Sequence, residues 1–170
     1  MAWRELLAYW SDHFVDGRPP ARAEIDPPLE ITRLLPNLML LRPVEDGFLV
    51  RLAGSELVRR AGRDNTGMII RADAPNVRGI PTFHEFLARL VATRQPVLYA
   101  VSPGEHAATG AVGLILPLSD RADGVDMILG ALFYEPSPPL EVGLSWSPGA
   151  LRLLEIEDEM KRIQAVRHGR

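Results

Sequence analysis

The chain has 170 residues, 46% hydrophobic and 24% charged, with a formal net charge of −3 and no cysteine. This balance describes a globular chain with one sizeable core, and it excludes a disordered tail. The missing cysteine excludes disulfides, thiolate nucleophiles, cysteine-held iron–sulfur clusters and a thioether-linked flavin, and the slight acidity leaves no basic footprint for nucleic acid.

No apolar run approaches the roughly 20 residues that cross a bilayer. The first segment, MAWRELLAYWSDHF, breaks its apolar residues with Arg4, Glu5, Asp12 and His13, so it has no signal-peptide core. The expectation is a cytoplasmic chain without a membrane partner. Within the same segment Trp3, Leu6, Leu7, Trp10 and Phe14 recur with helical spacing, and Gly17, Pro19 and Pro20 end the helix. Its apolar stripe suits either the chain's own core or a dimer contact.

The following stretch, PARAEIDPPLEITRLLPNLMLLRPV, predicts a turn, a short helix and a strand. Asp26 is placed to cap a helix whose first residue is Pro27; Leu29, Leu34 and Leu35 anchor it and Pro36 ends it. Residues 38–44 and 48–53 then form a hairpin across Asp46-Gly47. In the second strand, alternation puts Leu49, Arg51 and Ala53 on one side and Phe48, Val50 and Leu52 on the other.

Residues 54–61 predict a short helix stopped by Gly62. Thr82 and Glu85 have capping-box spacing ahead of Phe86, Leu87, Leu90 and Val91, which line one face of a longer helix. The period then changes: 96–102, 111–119 and 125–134 are strand-like runs, the last two parted by a turn at Asp123-Gly124. Two strands, helices, then three strands predict an α+β fold, a five-stranded antiparallel sheet with the helical connection on one face. Beyond Pro136, Pro138 and Pro139, Ser147 and Pro148 start a last helix with Leu153, Ile156, Met160 and Ile163 on one stripe, docked on the same domain or on a partner.

The run RLAGSELVRRAGRDNTG at 51–67, together with the PARAEIDP segment, resembles the PAS domain family, and within it the compact bacterial branch with a single PAS domain. The resemblance covers residues 19–135, with 1–18 as an N-terminal amphipathic helix and 136–170 as a proline-containing connector and C-terminal helix. It implies a sensory or interaction module able to hold a small molecule between sheet and helices. Asp26, Pro27, Gly54, Gly62 and Gly67 are read as fold-marking positions.

For a ligand, Arg51 offers a fork that grips an anion, against the plainer role of a salt bridge. Tyr99 and Tyr134 in strands, His84 near a helix start and His106 before a strand complete the candidate set, each weighed against a core or surface role. Catalytic and metal motifs are absent: His84-Glu85 meets Ala88 where a zinc helix needs its second histidine. Gly143-Leu144-Ser145-Trp146-Ser147 lacks the second glycine of a nucleophile elbow. No cofactor is named by the sequence. The expected function is a non-enzymatic sensor or adaptor acting through a homodimer or signalling partner. The alternatives are a structural dimerisation module without ligand, and a small acid–base enzyme built on His84 or His106.

Overall fold

The computed structural model describes residues 2–25, 31–72, 82–102, 110–120, 124–134 and 151–168. Its centre is an antiparallel sheet of β1 (Leu38–Val44), β2 (Gly47–Ala53), β3 (Ile69–Ile70), β4 (Val97–Val101), β5 (Ala111–Leu118), β6 (Met127–Tyr134) and β7 (Leu151–Leu154). The strands lie in the order β3-β2-β1-β6-β5-β4-β7. The five anticipated strands form its middle, and the sheet has seven because two short strands extend its edges. β3 contributes two residues, opposite Phe48 and Leu49; β7 lies along β4 with Tyr99 opposite Leu153.

Leu153 is therefore in a strand and not on the C-terminal helical stripe. The short apolar run LRLL satisfies the open hydrogen-bonding edge of β4. The terminal helix begins only at Glu157, where Glu157, Asp158 and Glu159 favour the positive end of the helix dipole. The expected start at Ser147-Pro148 lies outside the described residues, as do Asp26, Pro27 and Leu29. The second half of that earlier helix is a 3-10 turn, Thr32–Asn37, with Pro36 inside it. The turn closes past the proline because its last bond runs from the Leu38 N–H to the Leu35 carbonyl.

Helices cover both faces. On one, α1 (Ala2–Asp12) buries Trp3, Leu6, Leu7 and Trp10 against Leu114, Leu116, Leu118 and Leu129. Trp10 Nε1 donates to the Pro117 carbonyl at 2.9 Å. Proline is tolerated in this interior strand because β4 begins opposite Ile115, leaving no β4 residue beside Pro117 to need its missing N–H. The C-terminal helix α4 (Glu157–His168) leans on the same side: Arg4 pairs with Glu159 at 3.3 Å, and Ile156, Met160 and Ile163 pack on the α1 core.

The other face carries α2 (Ser55–Ala61) and α3 (Phe83–Thr93). Phe86, Leu87 and Leu90 of α3 are buried against Leu41, Tyr99, Ile115 and Ile128. The capping box forms as its spacing predicts: the Glu85 N–H donates to Thr82 Oγ1 at 3.2 Å and the Thr82 N–H to Glu85 Oε2 at 2.5 Å. Between α2, β2 and α3 this second core is not filled.

Candidate functional site

The gap begins with a register shift. Met39 faces Ala53, Leu40 faces Leu52 and Leu41 faces Val50, so Arg51 is the extra residue of a β-bulge. The bulge breaks the alternation that placed Ala53 with Leu49: Ala53 instead joins Phe48 and Val50 on the α3 side. There the small side chain leaves room. Gly54, immediately after, closes against the 3-10 turn, where a Cβ would overlap the Leu35 and Pro36 carbonyl oxygens; its N–H donates to the Leu38 carbonyl at 2.8 Å.

From that contact α2 rises over the sheet. Gly62 ends it in the left-handed region at φ 71°, as a helix stop requires. The loop after it is tied back to β2: Gly67 N–H donates to the Val50 carbonyl at 2.8 Å, and Val50 N–H to that of Met68 at 2.9 Å. Gly67 itself is at φ 89°. The space enclosed is a cavity of about 340 Å³. Met39, Val50 and Ala53 form its floor, Leu57 and Val58 its helical wall, and Arg63, Asn65 and Met68 its loop wall, with Ile70 and Phe83 completing it.

Asn65 Oδ1 is buried and has no hydrogen-bond partner. Arg63, by contrast, is exposed. A cavity of this size and composition has room for a small, mostly apolar molecule.

A PAS domain family model matches residues 1–133. The chain belongs to the PAS domain family. Such domains are sensor-type signalling modules. A solved fungal LOV-domain photoreceptor, described with a conserved pathway integrating blue light and oxidative stress, aligns with a TM-score of 0.46 at 18% identity, covering 79% of this chain and 92% of its own. No curated protein matches.

The candidates from sequence occupy different parts of this PAS domain. Tyr99 is buried behind the cavity wall, its ring 5.8 Å from that of Phe83 and 5.3 Å from that of Phe86. It lies over Gly113, where a Cβ would overlap its ring. Burial pushes its phenol well above the ordinary 10.0, with Tyr134 adding to the shift. Tyr134 sits under α2, with the Arg60 guanidinium 4.2 Å from its ring centroid. Burial raises its pKa too, and Arg60 opposes that rise.

Arg60 is held in turn by Glu56 at 2.9 Å, and Arg59 grips both oxygens of the same carboxylate at 2.6 and 2.8 Å. These bonds hold Glu56 down to about 2. A chain of contacts thus links α2 to β6. His84 stacks edge-on with Phe48 at 5.3 Å, next to the wall residue Phe83. His106 lies outside the described residues.

Arg51 is exposed and shares an open groove with Arg42, Pro43, Asp120 and Met127. The cavity's own residues, Asn65 and Phe83 above all, escaped the sequence reading because an asparagine in RDNTG reads as a turn former and Phe83 as a helix-start residue. A bulge signal, a strand interrupted by Arg51 before the Ala53-Gly54 pair, was the available clue. Among the described residues no cluster of His, Asp and Glu has the arrangement to hold a metal ion, and no helix is long and apolar enough to cross a membrane.

Proposed function

We propose that this chain is a non-enzymatic cytoplasmic sensor of the compact bacterial single-PAS type. A small molecule occupies the cavity between β2, α2 and α3 and biases α2 against the sheet, and a homodimer or signalling partner reads the change. The cavity of about 340 Å³ carries this reading. Support comes from its apolar lining, in which the described residues include no carboxylate or histidine and so no acid–base pair. Occupancy acts only through a difference in affinity between two arrangements of α2. The Glu56–Arg60–Tyr134 chain is the contact such a difference would work through, and Tyr99 and His84 support the wall from behind. Native mass spectrometry of protein purified without denaturation tests the reading, followed by a thermal-shift screen of small apolar molecules. A bound mass or a set of stabilising compounds supports it; an empty protein that no compound stabilises sinks it.

A second reading, homodimerisation without ligand, is favoured by the opposite face. Leu52 is 52% exposed beside an apolar pocket of about 290 Å³ that includes Leu40 and Leu129. Sedimentation across a concentration series separates the two readings: a dimer lost on Leu52→Glu, with no effect of any cavity ligand, supports the second.

A further inference from the structure

Met39 decides how much of the cavity is open, and this step rests on the proposal that the cavity binds a ligand. On β1 it lies between two cross-strand partners with little or no side chain, Gly130 on β6 and Ala53 on β2. Its side chain stands on the cavity side of the sheet: Met39 and Leu41 belong to the α3 core, whereas Leu38 and Leu40 belong to the α1 core. There it leans towards β6. A Cβ placed on Gly130 would come within 2.6 Å of the Met39 Cγ and 3.1 Å of its Sδ. Lying over Gly130, the side chain leaves the space above Ala53 as part of the cavity.

A second glycine of the same sheet makes a like contact that is locked. Tyr99 lies over Gly113, but it is buried, with the rings of Phe83 and Phe86 against its own. Met39 is only half-buried and borders open space. Methionine is unbranched and adaptable, and in a strand two settings of its first side-chain torsion are common. Gly130 itself has no left-handed φ that would demand glycine. What a side chain there would displace is Met39, since its other near neighbour, Ile115 Cγ2, is at an ordinary 3.6 Å.

We infer that Met39 is the movable floor of the cavity and sets which ligands it admits. Over Gly130 the side chain leaves room for a molecule of one or two small rings; turned towards Ala53, it fills that room. A ligand that needs the open position binds with its intrinsic affinity scaled by the fraction of molecules in which Met39 lies over Gly130. Gly130 keeps that fraction high because it has no Cβ to push the side chain back.

The test is Gly130→Ala in the full chain, with indole and benzene as probes and amide chemical-shift titration as the readout. Indole binding should weaken about tenfold or more, and benzene, which needs less room, should lose less. Adding Met39→Ala to the same chain should restore indole binding, because no side chain is then driven into the cavity. In protein labelled at the methionine methyls, the Met39 methyl of Gly130→Ala should gain nuclear Overhauser contacts to Ala53 and Leu57. Unchanged indole affinity in Gly130→Ala overturns the inference and leaves the cavity a ligand site, as does a loss that Met39→Ala does not restore. A single variant that fails to fold also overturns it: if the double variant folds, Met39 has no second position, and if neither folds, the glycine serves the backbone. If neither probe shifts the resonances of Val50, Ala53 and Leu57 in the wild type, and native mass spectrometry finds no ligand, the ligand reading of the cavity falls and takes the inference with it.

Discussion

The two faces of one sheet are packed by opposite rules. Against β5 and β6, α1 drives large side chains into the core until Leu6, Leu7 and Trp10 are fully buried; against β1 and β2, α2 stands over Ala53 and leaves a cavity of about 340 Å³. Large aromatic and leucine side chains close the first face, and a bulge followed by Ala53-Gly54 opens the second. A void costs dispersion and burial energy, and a domain can carry one here because α1 buries Leu6, Leu7 and Trp10 completely on the other side.

The sharpest break of that comparison is Trp10→Ala. Removing a fully buried indole and its bond to the Pro117 carbonyl should cost about 3–5 kcal/mol, measured by chemical denaturation, with the affinity of any cavity ligand little changed under conditions where the variant stays folded. Gly54→Ala comes next. Its Cβ would meet backbone oxygens of Leu35 and Pro36, which cannot swing away as a side chain would. The cost expected is about 1–3 kcal/mol, and because the displaced turn borders Ala53, ligand binding should weaken as well.

The cavity itself answers to Ala53→Leu. Filling void on the hollow face should leave stability unchanged or raise it by about 0.5–2 kcal/mol while abolishing binding of small apolar probes, read by denaturation and titration on the same sample. Lower stability together with retained binding would show that the space is not where the structure puts it.

The smallest effects are those of pH, and they fall on the hollow face. Tyr99 and Tyr134 have folded pKa values raised above 10.0 by burial. Their contribution to stability is fully present below the unfolded value near 10.0 and is lost as pH rises beyond it, because the unfolded chain ionises first. Tyrosinate absorbance should show Tyr99 ionising only together with unfolding. Glu56 runs the other way: held down to about 2 from 4.5, it contributes above 4.5 and loses that contribution as pH falls towards 2. The carboxylate is on the surface, so the effect on stability is slight. An NMR titration of the Glu56 side chain, with loss of the Arg60–Tyr134 ring shift on protonation, is the sensitive measure.

Much of the frame was legible because it depends on local rules. The Trp3–Leu6–Leu7–Trp10 spacing, the hairpin at Asp46-Gly47, the Thr82–Glu85 box and the stop at Gly62 each need only neighbouring residues to act. The illegible parts are those where a distant partner overrides the local pattern. LRLL turns from a helical stripe into β7 because β4 has an open edge. Ala53 turns to the cavity side because β1 and β2 pair with one residue in excess. Asn65 looks like any turn residue until the sheet, α2 and Phe83 close around it.

By itself the sequence determined an α+β chain without thiol chemistry, the order and approximate limits of the five central strands and the main helices, and its likeness to PAS domains. Those follow from composition, period and turn chemistry, which act over a few residues. The tertiary structure alone decided where a cavity opens between β2 and α2, that Ala53 and not Arg51 lines it, and that Asn65 Oδ1 is buried without a partner. Register, edge pairing and burial are properties of segments far apart in the chain, and no local pattern encodes where they meet.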